Sequence, residues 1–379
     1  MNKRGVFIVS GEESGDLHGA SLIMALKKKI PSLEFFGMGG HRMREAGLKG
    51  LDSKEVSVVG LVEVIEKLPR ILKSFKELKA LLLSRRFEAV ILIDFPDFNM
   101  RFAKEAKGAG VPIIYYISPQ VWAWRKGRIK KIARLVNKML VVFPFEVGLY
   151  KDAGVDVEYV GHPLVDTAEC KLTKEAARAA LGVPQDSVCV SMLPGSRTSE
   201  VKRILETLLK AGWLIEKGLN GKPVFLLPAA GGMDDSFLNG FLKNSPVEVK
   251  IIRGQMYSAL RASDAAIVAS GTATLETALI GTPMVIVYKM SPISYGVAKA
   301  LVKLDYAGLP NIIAGRQVVP ELLQNSASPE RIAKEVLEIL TVNKSRDSIL
   351  KAYKEIKLSL GGKGAAEKAA EAICGVIEA

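Results

Sequence analysis

A chain of 379 residues with 49% hydrophobic and 25% charged side chains has the makeup of a folded protein of two or three domains, which excludes disordered, collagenous and disulfide-scaffold classes. Its net charge of +13 is focused, with seven basic residues and one acid in 67–86 and seven and none in 125–138, so an anionic partner is expected: nucleic acid, acidic lipid or a phosphorylated substrate. Cys170, Cys189 and Cys374 form no CxxC pair and suggest neither a zinc knuckle nor a disulfide framework, but a reducing compartment.

The apolar run at 6–9 is too short for a secretory signal. No stretch reaches the roughly 20 apolar residues of a bilayer span, so the expected location is cytoplasmic, with membrane-surface attachment left open. Residues 6–9 read as a strand, 10–15 as a loop and 17–29 as a helix. Further strands are expected at 33–36, 89–93, 112–117, 138–143 and 157–160. These are nearly continuous apolar runs with helical periods between them, the pattern of parallel strands buried on both faces of a doubly wound sheet. After Gly161-His162-Pro163 the pattern restarts, with strands at 188–193, 224–227, 247–251, 265–268 and 284–287 and a helix at 200–216. Helices at 329–340, 345–358 and 364–377 close the chain. The expected fold class is therefore α/β, with two doubly wound, Rossmann-like domains and a cleft between them: 1–166, joined by the helices of about 345–379, and 167–344. In such sheets ligands bind beyond the carboxyl ends of the strands.

Several loops follow strands. In 10–19, Ser14, Asp16 and His18 suit sugar hydroxyls, while its acids disfavour phosphate; the alternative is that Ser14 or Asp16 only caps the helix. The segment 58–83 carries an apolar stripe at helical spacing, flanked by Lys67, Arg70, Lys73 and Lys76 and interrupted by Pro69. It either packs on the sheet or lies on an anionic bilayer. Asp94 ends the strand 89–93, where low-dielectric walls favour a general base; an Asx turn before Pro96 is the structural alternative. Val121-Trp122-Ala123-Trp124 followed by basic residues again combines interfacial aromatics with cations, and no nucleic-acid motif accompanies the charge. Leu193-Pro194-Gly195-Ser196-Arg197 precedes a helix with Thr198 or Ser199 as expected N-cap, an arrangement suited to phosphate or to a capped turn with a solvated Arg. Ser270-Gly271-Thr272 repeats the device, with Glu276 one turn on, placed for a ribose diol or for the helix dipole. Neither loop is a Walker A or GxGxxG sequence, which disfavours kinases, P-loop ATPases and standard dehydrogenases. Asp94 and Asp97 are not a DxD pair, so no obligatory metal is expected. His41 reads as a loop residue and His162 as a hinge residue.

Taken together, SGEESGDLHGA (10–20), VVGLVEV (58–64), IDFPDFN (93–99), ISPQVWAWRKGR (117–128), FPFE (143–146), GHPLVD (161–166), LPGSR (193–197), ASGTATLE (269–276) and DYAGLPNIIAGR (305–316) resemble the lipid-A-disaccharide synthase family, inverting glycosyltransferases of the GT-B architecture. The resemblance implies transfer from UDP-2,3-diacylglucosamine to 2,3-diacylglucosamine 1-phosphate, giving the β-1,6-linked disaccharide 1-phosphate and UDP, with no cofactor. It implies Asp94 as the catalytic base. Arg197, Gly271 and Thr272 would lie at the pyrophosphate and Glu276 at the ribose, with Glu12, Ser14 and Asp16 on the first-domain side and Asn311 and Arg316 on the second. Val62, Val64, Ile65, Leu68, Ile71 and Leu72 match the family's membrane-facing patch, which implies peripheral attachment to the inner face of the cytoplasmic membrane. Family members can exchange C-terminal helices in a homodimer. The competing expectations are another UDP-sugar GT-B enzyme, such as a 2-epimerase or a peptidoglycan N-acetylglucosaminyltransferase, and a non-catalytic nucleotide-sugar-binding membrane protein.

Overall fold

The computed structural model describes residues 4–55, 61–119, 127–290, 295 and 305–378, with 13, 55 and 61–67 described by their backbone. The chain divides into two compact units, Met1–Asp166 with Leu360–Ala379, and Thr167–Ser359.

The sheet of the first unit contains β1 (Gly5–Ser10), β2 (Glu34–Gly39), β3 (Leu48–Asp52), β4 (Ala89–Ile93), β5 (Ile113–Tyr116), β6 (Lys138–Val141) and β7 (Asp156–Tyr159). All pairings are parallel, in the order β3-β2-β1-β4-β5-β6-β7. β1, β4 and β5 are buried along their whole length, which is why they read as unbroken apolar runs. Phe7, Val9, Val90 and Leu92 of these strands share a core with Leu78, Phe102 and Ile132 of the neighbouring helices; each such burial contributes roughly 1.5–3 kcal/mol. The edge strand β3 is partly exposed and escapes the sequence pattern. A Cβ on Gly37 (φ 131°) would lie 2.0 Å from the Ile8 carbonyl oxygen, and one on Gly50 (φ 139°) 2.1 Å from that of Gly37. Glycine is what lets β1, β2 and β3 close up at this level. Strand order reverses between β1 and β4, and the carboxyl ends of those strands form the unit's topological switch point.

The second unit contains β8 (Cys189–Leu193), β9 (Val224–Ala229), β10 (Val249–Arg253), β11 (Ala265–Ala269), β12 (Met284–Tyr288) and β13 (Glu321–Leu323), again all parallel, in the order β10-β9-β8-β11-β12-β13. Its switch point lies between β8 and β11.

The C-terminal helices part company, contrary to the expectation that both join the first unit. Helix Asn343–Ser359 stays with the second unit, where it packs on helices Leu309–Ala314 and Pro329–Thr341 and buries Ile349, Ala352, Tyr353 and Ile356. Only helix Ala365–Ile377 returns, packing along helix Glu13–Lys29. Its start is fixed by Asp166, whose carboxylate accepts from the Gly364 N–H at 2.8 Å and the Ala365 N–H at 3.1 Å. Nearby, the His162 N–H donates to the Leu360 carbonyl at 3.2 Å. Amphipathic periodicity marks both helices without saying which sheet each will cover. Among the described residues no helix is long and apolar enough to cross a membrane.

Candidate functional site

At the switch point of the first unit, β4 gives way to two consecutive residues with left-handed backbone, Asp94 (φ 44°) and Phe95 (φ 47°). Non-glycine residues in that region cost about 1–3 kcal/mol each and persist only where the surroundings over-determine them. Here the fully buried Asn99 donates from Nδ2 to the Ile93 carbonyl (3.1 Å) and the Asp94 carbonyl (2.7 Å), and the Tyr115 hydroxyl donates to the same Asp94 carbonyl at 2.6 Å. Pro96 then opens helix Pro96–Gly108, where its fixed φ and missing N–H cost nothing. A Cβ on Gly11 would sit 2.4 Å from the Phe95 ring, so the loop after β1 can pass beneath that ring only as glycine. The Asp94 carboxyl is thereby held at the sheet edge, partly exposed. Burial, followed by the negative charge of Glu12 and opposed by the Phe95 N–H, pushes its pKa up to about 7. That is the range of a general base working near neutrality.

The other loop residues divide. Glu12 and Ser14 are exposed. Asp16, expected to line the site, is buried, and its oxygens accept from the N–H groups of Arg42 and Met43, both at 3.0 Å. It caps helix His41–Glu45, and Gly40 makes room for it: a Cβ there would lie 2.6 Å from the carboxyl. A carboxylate bonded in this way holds the helix start in place. His18 and His162 are buried, and burial lowers them to about 4 and about 3, His162 also through its neighbour His18. Both are neutral imidazoles at physiological pH, and His162 Nδ1 accepts from the Leu164 N–H at 3.1 Å.

At the switch point of the second unit, the loops after β8, β9 and β11 enclose a cavity of about 770 Å³ lined by Arg197, Gly271, Thr272, Glu276, Tyr257 and Tyr288, among others. Gly195 (φ 113°) turns the chain out of β8; a Cβ there would meet Glu200 Oε2 at 2.4 Å. Helix Thr198–Lys217 is capped not at Thr198 or Ser199 but at Arg197, whose N–H is met by Glu200 Oε2 at 3.4 Å. The acid three residues in supplies the reciprocal half of a capping box. The Arg197 guanidinium is half exposed, and its 3.3 Å contact with Glu200 is the kind of surface pair that contributes at most ~1 kcal/mol. It is free to turn toward an anion. Gly271 (φ 152°, ψ −166°) occupies a conformation reserved for glycine, and with Thr272 and Ala273 it brings the positive N-terminus of helix Thr272–Ile280 to the cavity wall. Glu276, one turn in, accepts from the Tyr257 hydroxyl at 2.7 Å. Burial raises its pKa and the Tyr257 bond opposes that rise. Tyr257 was not legible as a site residue, because its partner lies 19 positions away on another helix.

Asn311 and Arg316, expected to approach the substrate, do not line this cavity. Asn311 is fully buried. Its Nδ2 donates to the Val319 carbonyl and Glu321, and its Oδ1 accepts from the N–H groups of Val318 and Val319. Glu321 in turn accepts from the N–H groups of Ala307 and Gly308. The stretch 305–316 is thus an internal bracket behind β12 and β13, and the exposed Arg316 pairs with Glu355 at 3.1 Å.

The apolar stripe lies on helix Leu61–Leu83, which runs through Pro69 without a break. The side chains of Val62, Val64 and Ile65 lie outside the described residues, as do Trp122 and Trp124. Ile71, Phe75, Leu78 and Leu82 face the core, whereas Leu68 and Leu72 remain 42% and 48% exposed. One helix therefore carries both a buried face and an apolar exposed one, so the packing and surface readings divide between residues.

A family model described as lipid-A-disaccharide synthetase matches residues 6–374. The chain is 47% identical to the lipid-A-disaccharide synthase of Syntrophus aciditrophicus (strain SB), over 98% of this chain and 97% of the relative. It is 45% identical to that of Trichlorobacter lovleyi (strain ATCC BAA-1151 / DSM 17278 / SZ), over the same shares. Among solved structures, UDP-GlcNAc 2-epimerase from Neisseria meningitidis bound to UDP-GlcNAc superposes with a TM-score of 0.65 at 13% identity, covering 98% of this chain and 100% of that one. At that identity the likeness establishes the fold alone, the GT-B pair of Rossmann-like units. With a family model spanning nearly its whole length and relatives close to half identical, the chain belongs to the lipid-A-disaccharide synthase family of glycosyltransferases.

Proposed function

We infer that this enzyme condenses UDP-2,3-diacylglucosamine with 2,3-diacylglucosamine 1-phosphate, forming the β-1,6-linked lipid A disaccharide 1-phosphate and releasing UDP. The observation that carries the mechanism is Asp94, a carboxyl fixed by strained backbone at a sheet edge with its pKa raised to about 7. Asp94 takes the proton of the acceptor's 6-hydroxyl as that oxygen bonds to C1 of the donor sugar; the bond from C1 to the pyrophosphate oxygen breaks on the opposite face, which inverts the anomeric centre. The second unit holds the donor, with Arg197 and the Gly271-Thr272 helix start at the pyrophosphate and Glu276 at the ribose. Charge growing on the departing UDP meets donors already in place, and the reaction needs no metal or cofactor. On the first unit Glu12 and Ser14 face the acceptor; Asp16 and Asn311 support the scaffold.

The glycolipids are reached at the membrane. Leu68 and Leu72, with Arg70, Lys73 and Lys76 alongside, rest the protein on the anionic inner face of the cytoplasmic membrane without crossing it. Helix Ala365–Ile377 is the segment that a homodimer would exchange. The test of the activity is incubation with both diacylated glucosamines in EDTA. UDP and disaccharide should appear in equal amounts. UDP without disaccharide, or a requirement for added metal, would refute the reaction as written.

A further inference from the structure

We propose that Tyr257 is a positioning residue for nucleotide recognition, fixing the Glu276 carboxylate so that both hydroxyls of a ribose diol donate to it. This rests on the placement of Glu276 at the ribose.

A glutamate bent toward a cavity samples many rotamers, and a two-point acceptor works only when its plane is held. Glu276 stands one turn inside helix Thr272–Ile280. Tyr257 comes from a different helix, Met256–Ala262, anchored by Ala259, Leu260 and Ala262, all completely buried. The Tyr257 ring has few internal rotations, so a hydroxyl donated to Glu276 Oε1 at 2.7 Å ties a flexible acid to a rigid element. A carboxylate offers about four lone-pair sites; Tyr257 uses one, and those left suffice for two sugar hydroxyls. The bond also favours the ionised acid against the burial that disfavours it, and the ionised form is acceptor-only, with both oxygens open to donors. Both side chains line the same cavity as Arg197 and the Gly271 loop, so a nucleoside diphosphate whose phosphates sit at those loops has its ribose within their compass.

The experiment is calorimetric titration of the full chain with UDP and with 2′,3′-dideoxy-UDP, using the wild type, Tyr257→Phe, Glu276→Gln and the double variant. A hydrogen-bonded pair with a charged acceptor implies a wild-type preference for UDP of about 30-fold. In Tyr257→Phe the preference should fall to about 5-fold with dideoxy-UDP binding unchanged, and Glu276→Gln and the double variant should share one still smaller value. A wild-type preference in Tyr257→Phe, or equal weakening of both ligands, overturns the proposal. If Glu276→Gln keeps the full preference, the ribose assignment itself falls. If Glu276→Gln loses it while Tyr257→Phe keeps it, only the role of Tyr257 falls.

Discussion

The two switch points use the same architecture for opposite chemistry. Between β1 and β4 the loops present acids: Asp94 on strained backbone, with Glu12 close enough to raise its pKa. Between β8 and β11 they present glycines, a helix N-terminus and the loosely paired Arg197. Under the proposed function one edge holds a proton and the other an anion. Parallel strands and right-handed crossovers put a crevice at each reversal of strand order, and the loop residues then decide what each can do.

Substitutions should pull these roles apart. Asp94→Asn should lower turnover by about 10²-fold or more, the usual range for loss of a general base, while UDP titration is unchanged; a joint loss of binding would merge the two roles. Arg197→Ala should weaken UDP binding by about 10-fold or more through a lost charge-assisted contact and leave the pH midpoint of turnover where it was. Glu12→Gln removes a charge that raises Asp94. The pH at which activity is half lost on acidification should move below the wild-type value, by up to about one unit; a move upward would reverse the sign of the proposed coupling. The smallest effect concerns the membrane: changing Leu68 and Leu72 together to Ser should reduce co-sedimentation with anionic vesicles a few-fold, about what two part-exposed leucines contribute, with UDP affinity intact.

Much of this was legible in one dimension. Buried parallel strands announce themselves as apolar runs, and the end of such a run located Asp94, the Gly195 turn and the Gly271 turn. What stayed hidden is what depends on distant partners. Asp16 and Asn311 sit in the same kinds of polar loop as the proposed site residues, yet their hydrogen bonds to Arg42 and Met43, and to Val318, Val319 and Glu321, make them parts of the frame. The left-handed backbone at Asp94 and Phe95 is held by Asn99 of the following helix and by Tyr115 of the neighbouring strand β5, and the second of these the motif alone does not reveal. β3 and β13 were missed because short or half-exposed edge strands carry little apolar signal. The apolar stripe of Leu61–Leu83 could not be divided between core and surface without seeing which of its residues meet the sheet.

The central claim, that Asp94 is the base, is tested most directly by the pH dependence of kcat/KM in the wild type and in the residual activity of Asp94→Asn. A carboxylate with its pKa raised to about 7 works only when deprotonated. Wild-type activity should therefore fall as pH drops through about 7, close to tenfold per unit below it, and that limb should vanish in the variant. An unchanged limb in Asp94→Asn would assign the proton to another group and contradict the mechanism.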